Sequence, residues 1–377
     1  MKLKIFFFSI SLILFLGLVK FFVSLPRTYV FSYQNLGSKL SIGFSKSNLV
    51  QPKICEKRVW EINLSKNQIY FFENCKLKTI ISIAYQSPSG VWYQTPTGYF
   101  RVGIKKEKHI SSLLPVYMNY AVQMYEDFFI HEIPYYLDGQ RVDSDFTGGC
   151  IRLESEQAKK FFEMARAGDL IISYLDLDNI KVKDNFVFPV NKNEFYLRQR
   201  FNSPLRTAWY SLKDRRIDYI QHAGIDLAPN PEAKDLNVYN IYDGKIVKIV
   251  KNGENDHGLG NTVIIEHPDL KIYSLYAHLE SINSELKEDK YVQKGKIIGK
   301  VGATAYGCNW WHIGEDGCDK KGKLDIHLHF EIKTKPVLES PIGARCLING
   351  EYKTCYGYVP DNPEKFGYLD PIKFLSE

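Results

Sequence analysis

The segments HAGID (222–226) and HLHFEIK (327–333) carry the residue types that hold a metal while leaving it open to water. Two histidines and a carboxylate, with water in a fourth position, make up a ligand set of catalytic zinc. Residues two apart on a strand point to one face, so His327 and His329 can share a pocket while Leu328 and Phe330 pack behind them. His278 closes another strand-like run, YAHL (276–279), and is a third histidine placed to join them. Alone, each short motif is usually surface residues and a ligand pair only about one time in ten. Together, His222, Asp226, His278, His327 and His329 fall in three separated, patterned segments. Bound zinc would polarise a carbonyl and lower the pKa of a water from about 15.7 to about 7. A histidine that is not a ligand could pass the proton, since its ordinary pKa of about 6.5 suits both directions.

The first half offers different chemistry. TGGCIRL (147–153) sets Cys150 directly after two glycines and just before a helix expected over Ser155 to Ala167. Ala158, Phe161, Phe162 and Ala165 would share that helix's apolar face, and Gly168 would stop it. Amides at a helix N-terminus would favour the thiolate. Gly149 lets the backbone approach a substrate and aim an amide at an oxyanion. His131, at the end of the apolar run FFIHEI (128–133), is the candidate general base. Glu132 beside it is expected to raise the base's pKa.

The elements that must position these residues read as strands. YNIYDGKIVKIV (239–250), NTVIIEH (261–267) and KIIGKVG (296–302) are apolar runs punctuated by glycines, as hairpins are. The charged, Asn-containing stretch 176–200 reads as a linker, with Phe186, Val187 and Phe188 free to dock on either neighbour. Apolar content of 45% and aromatic content of 14% suffice for two packed cores in a chain of 377 residues. The net charge of +6 is spread out, and no basic stripe or motif points to nucleic acid.

With these motifs in place, residues 201–377 resemble a lysostaphin/LytM-type zinc endopeptidase. The matching elements are HAGIDLA, YDGKIV, GLGNTVIIEH, YAHL, KGKIIGKVG, HLHFEI and DPIKFL. The resemblance implies His222, Asp226 and His329 as zinc ligands. His278 and His327 would be the two non-ligand histidines that activate water and steady the tetrahedral intermediate. One departure is CNWWHIGEDGCDKKGKLDI (308–326), where a short Gly/Ser-rich turn is usual.

Residues 56–174 resemble the YkuD-type L,D-transpeptidase domain. The elements are RVWEINLSKNQIYFFEN (58–74), TPTGYFRV (95–102), a histidine closing a strand, and a Ser/Thr-x-Gly-Cys-x-Arg motif. The resemblance implies that Cys150 attacks the L,D-peptide bond of a peptidoglycan stem peptide to form an acyl-enzyme. His131 would be its base, and Arg152 would hold a substrate carboxylate. Gly148 stands where many members carry a second histidine.

Seven cysteines in an exported chain imply pairs plus one free thiol. Close spacing favours Cys55–Cys75, Cys308–Cys318 and Cys346–Cys355 among the fifteen possible connectivities, leaving Cys150 reduced. At the N-terminus, Lys2 and Lys4 precede an apolar run from Ile5 that extends to Leu25 with one interruption at Lys20. The run reads as an uncleaved anchor over residues 5–25 with positive charge inside, a cleaved signal being the alternative.

The expected fold is mainly β with minor α. An L,D-transpeptidase-type β-sandwich would be followed by a lysostaphin-type antiparallel sheet domain, after one N-terminal hydrophobic segment. The expected layout is 1–25 signal or anchor, 26–55 stem, 56–175 transpeptidase-like domain, 176–200 linker and 201–377 zinc domain. The expected function is peptidoglycan remodelling at the cell envelope, outside the cytoplasm, on stem peptides and cross-links, with regulatory partners allowed. The alternatives are an L,D-carboxypeptidase in the first half, or a scaffold that activates other wall hydrolases.

Overall fold

A computed structural model describes residues 51–87, 94–111, 114–210, 217–252, 258–304, 326–335, 344–348, 351–355, 357–359 and 361–376. The apolar N-terminal run, the Cys308–Cys318 pair and nearly all of the 308–326 departure lie outside these residues. Pro52–Glu377 make up one compact unit. The described residues are mainly strand, and no helix among them is long and apolar enough to cross a membrane.

The first half holds β1 (Arg58–Asn63), β2 (Gln68–Glu73), β3 (Lys76–Ser82), β4 (Gly98–Arg101), β5 (Lys105–Ile110), β6 (Val116–Tyr125), β7 (Phe128–Glu132), β8 (Tyr135–Tyr136), β9 (Ile151–Leu153) and β10 (Leu170–Asp176). Helix α1 (Ser155–Met164) follows β9. Trp60, Ile62, Phe71, Ile130, Ile151 and Phe161 are among the side chains that fill the core between two sheets. One sheet is built on β1, β2, β3, β4 and β10, the other on β5, β6, β7 and β9. The helix ends three residues earlier than its apolar periodicity predicts. Ala165 is already extended, and Asp169 accepts the next amide, that of Arg166, at 3.0 Å.

The second half comprises β11 (Phe195–Gln199), β12 (Pro204–Tyr210), β13 (Ile217–His222), β14 (Ile225–Pro229), β15 (Asn237–Tyr239), β16 (Gly244–Val250), β17 (Thr262–His267), β18 (Ile272–Ala277), β19 (Leu279–Ile282), β20 (Tyr291–Val292), β21 (Ile297–Val301) and β22 (Leu328–Lys333). It closes with β23 (Ala344–Ile348), β24 (Glu351–Cys355), β25 (Tyr358–Val359), β26 (Tyr368–Leu369) and helix α2 (Pro371–Ser376). The three apolar runs singled out in the sequence are the strands around β16, β17 and β21. Cys346 and Cys355 fall on the paired strands β23 and β24, and their side chains lie outside the described residues.

The halves meet within a single sheet of order β20-β16-β17-β18-β22-β14-β11-β10-β1-β2-β3. Along one edge of β10, Leu170–Ser173 pair with β4 and Leu175–Asp176 pair with β11. β11 then pairs with β14 on its other side. Residues 176–200 therefore carry a sheet strand as well as connecting chain. Phe186 and Phe188 dock on the second half, where Phe186 meets Tyr242 and Phe374 with ring centroids 5.6 and 5.3 Å away. A third apolar cluster straddles the seam, joining Val59, Tyr99 and Tyr174 to Tyr196 and Ala228. Lys53 laces it further: its Nζ donates to Asn230 Oδ1 at 2.6 Å and lies about equally near the Tyr174 and Tyr196 rings. The Cys55–Cys75 disulfide pins the chain just after Lys53 to the start of β3, with Cα atoms 4.9 Å apart.

Two candidate active sites

Cys150 immediately precedes β9, which runs parallel to β7 with Ile130 opposite Ile151 and His131 opposite Arg152. In that register Cys150 lies opposite Phe129, whose N–H donates to Sγ at 3.3 Å. Side chains alternate along a strand, so Phe129 and His131 share one face with Cys150 and Arg152, while Ile130 and Ile151 enter the core. His131 is buried, and its Nδ1 donates to the Glu132 carbonyl at 2.5 Å. The lone pair of neutral His131 is therefore on Nε2, as a general base requires.

Strand β9 stands between Cys150 and α1, so the helix N-terminus does not support the thiolate as the sequence led us to expect. Burial pushes the thiol up to about 11, against the pull of the Phe129 amide and the nearby Arg152 cation. Burial likewise pushes His131 down to about 4. The Glu132 side chain points away from the imidazole and accepts from Asn119 Nδ2 at 3.0 Å, Tyr135 at 3.2 Å and the Ser155 hydroxyl. Its expected upward push on the base is absent for that reason. The resting pair is thus thiol and neutral imidazole.

The flanking groups are held in place. Gly149 has φ +94°, in the left-handed region, and its N–H donates to Thr147 Oγ1 at 3.2 Å. Arg152 is fixed through its backbone to Tyr85 and through Nη1 to the Ser144 carbonyl at 2.6 Å. His109 from β5, which the sequence reading passed over, lies beside Phe129 with ring centroids 4.9 Å apart.

The second site gathers His222 from the end of β13, Asp226 from β14 and His329 from β22. The β14–β22 register places Asp226 directly opposite His329. His222 Nε2 lies 3.0 Å from His329 Nδ1 and 3.3 Å from Asp226 Oδ1, and His329 Nδ1 lies 3.0 Å from Asp226 Oδ1. Around a tetrahedral zinc with bonds of about 2.0–2.1 Å, ligand atoms stand about 3.3 Å apart, so the triangle fits. Each imidazole is steered by its outer nitrogen. His222 Nδ1 donates to the Arg200 carbonyl at 3.0 Å, and His329 Nε2 donates to Glu331 Oε1 at 2.8 Å. Both inner nitrogens then present lone pairs beside a carboxylate oxygen, all three residues buried, which is an arrangement a cation satisfies. Gly357 makes room for it, since a Cβ there would come within 3.1 Å of the His329 ring.

His278 and His327 flank these residues, with ring centroids 4.8 Å from each other and the His278 ring 5.9 Å from that of His329. His278 adopts φ +61° at the end of β18, and its Nδ1 donates to the Thr304 carbonyl at 3.1 Å. His327 bridges to Gly302 through its backbone, and its Nδ1 accepts from Arg198 Nη1 at 2.8 Å. The structure thus gathers His222, Asp226, His329, His278 and His327 in one place, and sets Cys150, His131 and Arg152 along the paired strands β7 and β9. Sequence reasoning missed Arg198, Arg200, Thr304 and Glu331. Of these, only Glu331, two positions after His329 on one strand, carried a signal in its spacing.

Residues 57–172 match the L,D-transpeptidase catalytic domain family, and residues 220–341 match Peptidase family M23. A search among curated proteins finds no match. Among solved structures, the L,D-transpeptidase from Stackebrandtia nassauensis is 18% identical, covering 34% of this chain and 60% of its own, with a TM-score of 0.27. The lysostaphin catalytic domain from Staphylococcus simulans is 22% identical, covering 46% of this chain and 90% of its own, with a TM-score of 0.25. A fused Zn-dependent amidase/peptidase/peptidoglycan-binding domain-containing protein from Clostridium acetobutylicum is 24% identical, covering 31% and 52%, with a TM-score of 0.26.

Proposed function

Because an L,D-transpeptidase catalytic domain precedes an M23 peptidase domain in this chain, we propose that the protein is a bifunctional remodeller of peptidoglycan. The observation that carries this reading is the completeness of both residue sets within one compact unit.

In the first half, His131 Nε2 takes the Cys150 proton as Sγ attacks the carbonyl of an L,D-peptide bond. The C–N bond breaks, the proton passes to the leaving amine, and a thioester to Cys150 remains. A stem-peptide amine then displaces the thiol and forms a new cross-link. If water takes that place, the half is an L,D-carboxypeptidase. The low proton affinity of His131 suits it to stay neutral until attack. Arg152 is assigned to a substrate carboxylate, and Gly149 to the oxyanion once its N–H leaves Thr147 Oγ1.

In the second half, His222, Asp226 and His329 would hold Zn²⁺, which would supply a Lewis acid and acidify a water for attack on a cross-link. His278 and His327 move protons and steady charge around the scissile carbonyl. The Cys55–Cys75 disulfide supports an oxidising compartment. With it goes anchorage through residues 5–25, outside the cytoplasm. Domain limits at 56–175 and 201–377, with the intervening seam, complete the proposal.

Two measurements test the assignments. Elemental analysis should give one zinc per chain, lost in His222→Ala. Intact-mass analysis with a tetrapeptide stem should show an acyl adduct that is absent in Cys150→Ala. A folded chain without zinc would return the second half to a scaffold role, and no adduct would remove the transpeptidase assignment.

A further inference from the structure

Arg198 lies in β11, in the stretch between residues 172 and 220 that neither family match covers. It is 1% exposed. Its Nη1 meets His327 Nδ1 at 2.8 Å, and its Cζ stands 4.9 Å from the centroid of the Tyr99 ring, which belongs to the first half. Desolvating a cation is costly, and the aromatic face offsets part of that cost.

The pairing has a chemical consequence. A guanidinium stays protonated and carries donors only, so the nitrogen facing it must offer a lone pair. Neutral His327 therefore carries its proton on Nε2, the nitrogen 3.8 Å from Asp226 Oδ2 and turned toward the metal ligands. His278 is set the other way. Its Nδ1–H is committed to the Thr304 carbonyl, which leaves Nε2 bare. The two flanking histidines thus present opposite functions, one a donor and the other an acceptor.

We propose that Arg198 is a positioning residue for the M23-type half, fixing His327 as the Nε2–H tautomer so that it serves as the hydrogen-bond donor while His278 serves as the base. The proposal rests on the endopeptidase reading of this site. As a water oxygen bonds to the carbonyl carbon, its proton goes to His278 Nε2. The carbonyl electron pair moves to oxygen, and His327 Nε2–H donates to that oxygen. When the C–N bond breaks, the leaving nitrogen receives the proton from His278. The group that decides this division of labour comes from the seam and is held against a ring of the other half.

Ring ¹⁵N spectra of histidine-labelled protein spanning residues 52–377, zinc-free, test the tautomer directly, with His327→Gln assigning the signal. The wild type should show His327 Nδ1 unprotonated. Arg198→Met should move the proton to Nδ1 or mix the two forms, and Arg198→Lys, which keeps a donor, should retain the wild-type form. In zinc-loaded protein, Arg198→Met should lower kcat for cross-link hydrolysis roughly 10–100-fold with KM within about twofold. Zinc content and the acyl adduct at Cys150 should be unchanged, which also reports that the variant folds. Protonated Nδ1 in the wild type, or an unchanged tautomer in Arg198→Met, overturns the proposal. If Arg198→Met does not fold, the wild-type and Arg198→Lys spectra decide. If zinc-loaded protein cleaves no cross-link, the endopeptidase reading falls, while the spectra still judge Arg198's hold on the tautomer.

Discussion

Cys150 is a half-buried thiol, and its proposed partner His131 is a buried imidazole, which together set how the pair would react. Moving its proton to His131 in an empty site runs uphill, because burial disfavours both the thiolate and the imidazolium. The nucleophile is therefore made as it attacks. With the thiol near 11, the thiolate fraction at pH 7 is about one in ten thousand. Iodoacetamide should accordingly alkylate Cys150 slowly at neutral pH, with the rate rising about tenfold per pH unit up to about pH 10. A plateau reached below pH 8 would show a stabilised thiolate and contradict this account.

Among the elements, the loop that steers His278 is set by close backbone approach. Gly260 has φ +65°, and a Cβ there would lie 2.4 Å from Thr304 Oγ1, next to the carbonyl that orients His278. Gly260→Ala should cost about 1–2 kcal/mol from the left-handed backbone alone, with more from the clash. It should also reduce cross-link hydrolysis while the Cys150 adduct still forms. Thermal melts paired with the two assays check this, and equal loss of both activities would contradict it.

The same scale shows what the sequence could convey. The histidines and Asp226 were legible because period-two spacing and glycine punctuation are local. Three-residue β9 was too short to read, so the helix that starts at Ser155 was expected to act on Cys150 although a strand separates them. The roles of Arg198 and Arg200 were hidden because their partners, Tyr99, Thr97 and Thr95, lie about a hundred positions away. The shifts at Cys150 and His131 come from burial, which no local pattern encodes.

At the scale of the molecule, the two halves share one sheet through the β10–β11–β14 pairing, with a mixed apolar cluster packed at the seam. His222 leans on the Arg200 carbonyl, and Arg200 in turn receives support from the first half. Its N–H donates to Thr97 Oγ1 at 2.9 Å, and its guanidinium reaches the Thr95 carbonyl. Zinc held by the folded chain, as proposed, would raise its stability. Through the shared sheet, that gain should reach the first half. In urea, zinc should shift the midpoint for Cys150 exposure and the midpoint for loss of the second half together. Separate transitions, with only the second moved by zinc, would mean that the halves unfold independently.

The central claim is that one chain carries both an L,D-peptide acyl-transfer site and a cross-link hydrolase. Its most direct test is muropeptide analysis of intact sacculi treated with zinc-loaded protein lacking residues 1–25, alongside Cys150→Ala and His222→Ala. The account predicts that cross-linked dimers fall to monomers only when His222 is present. New L,D-linked or trimmed stems should appear only when Cys150 is present. Unchanged muropeptides from a folded, zinc-bound wild type would contradict it.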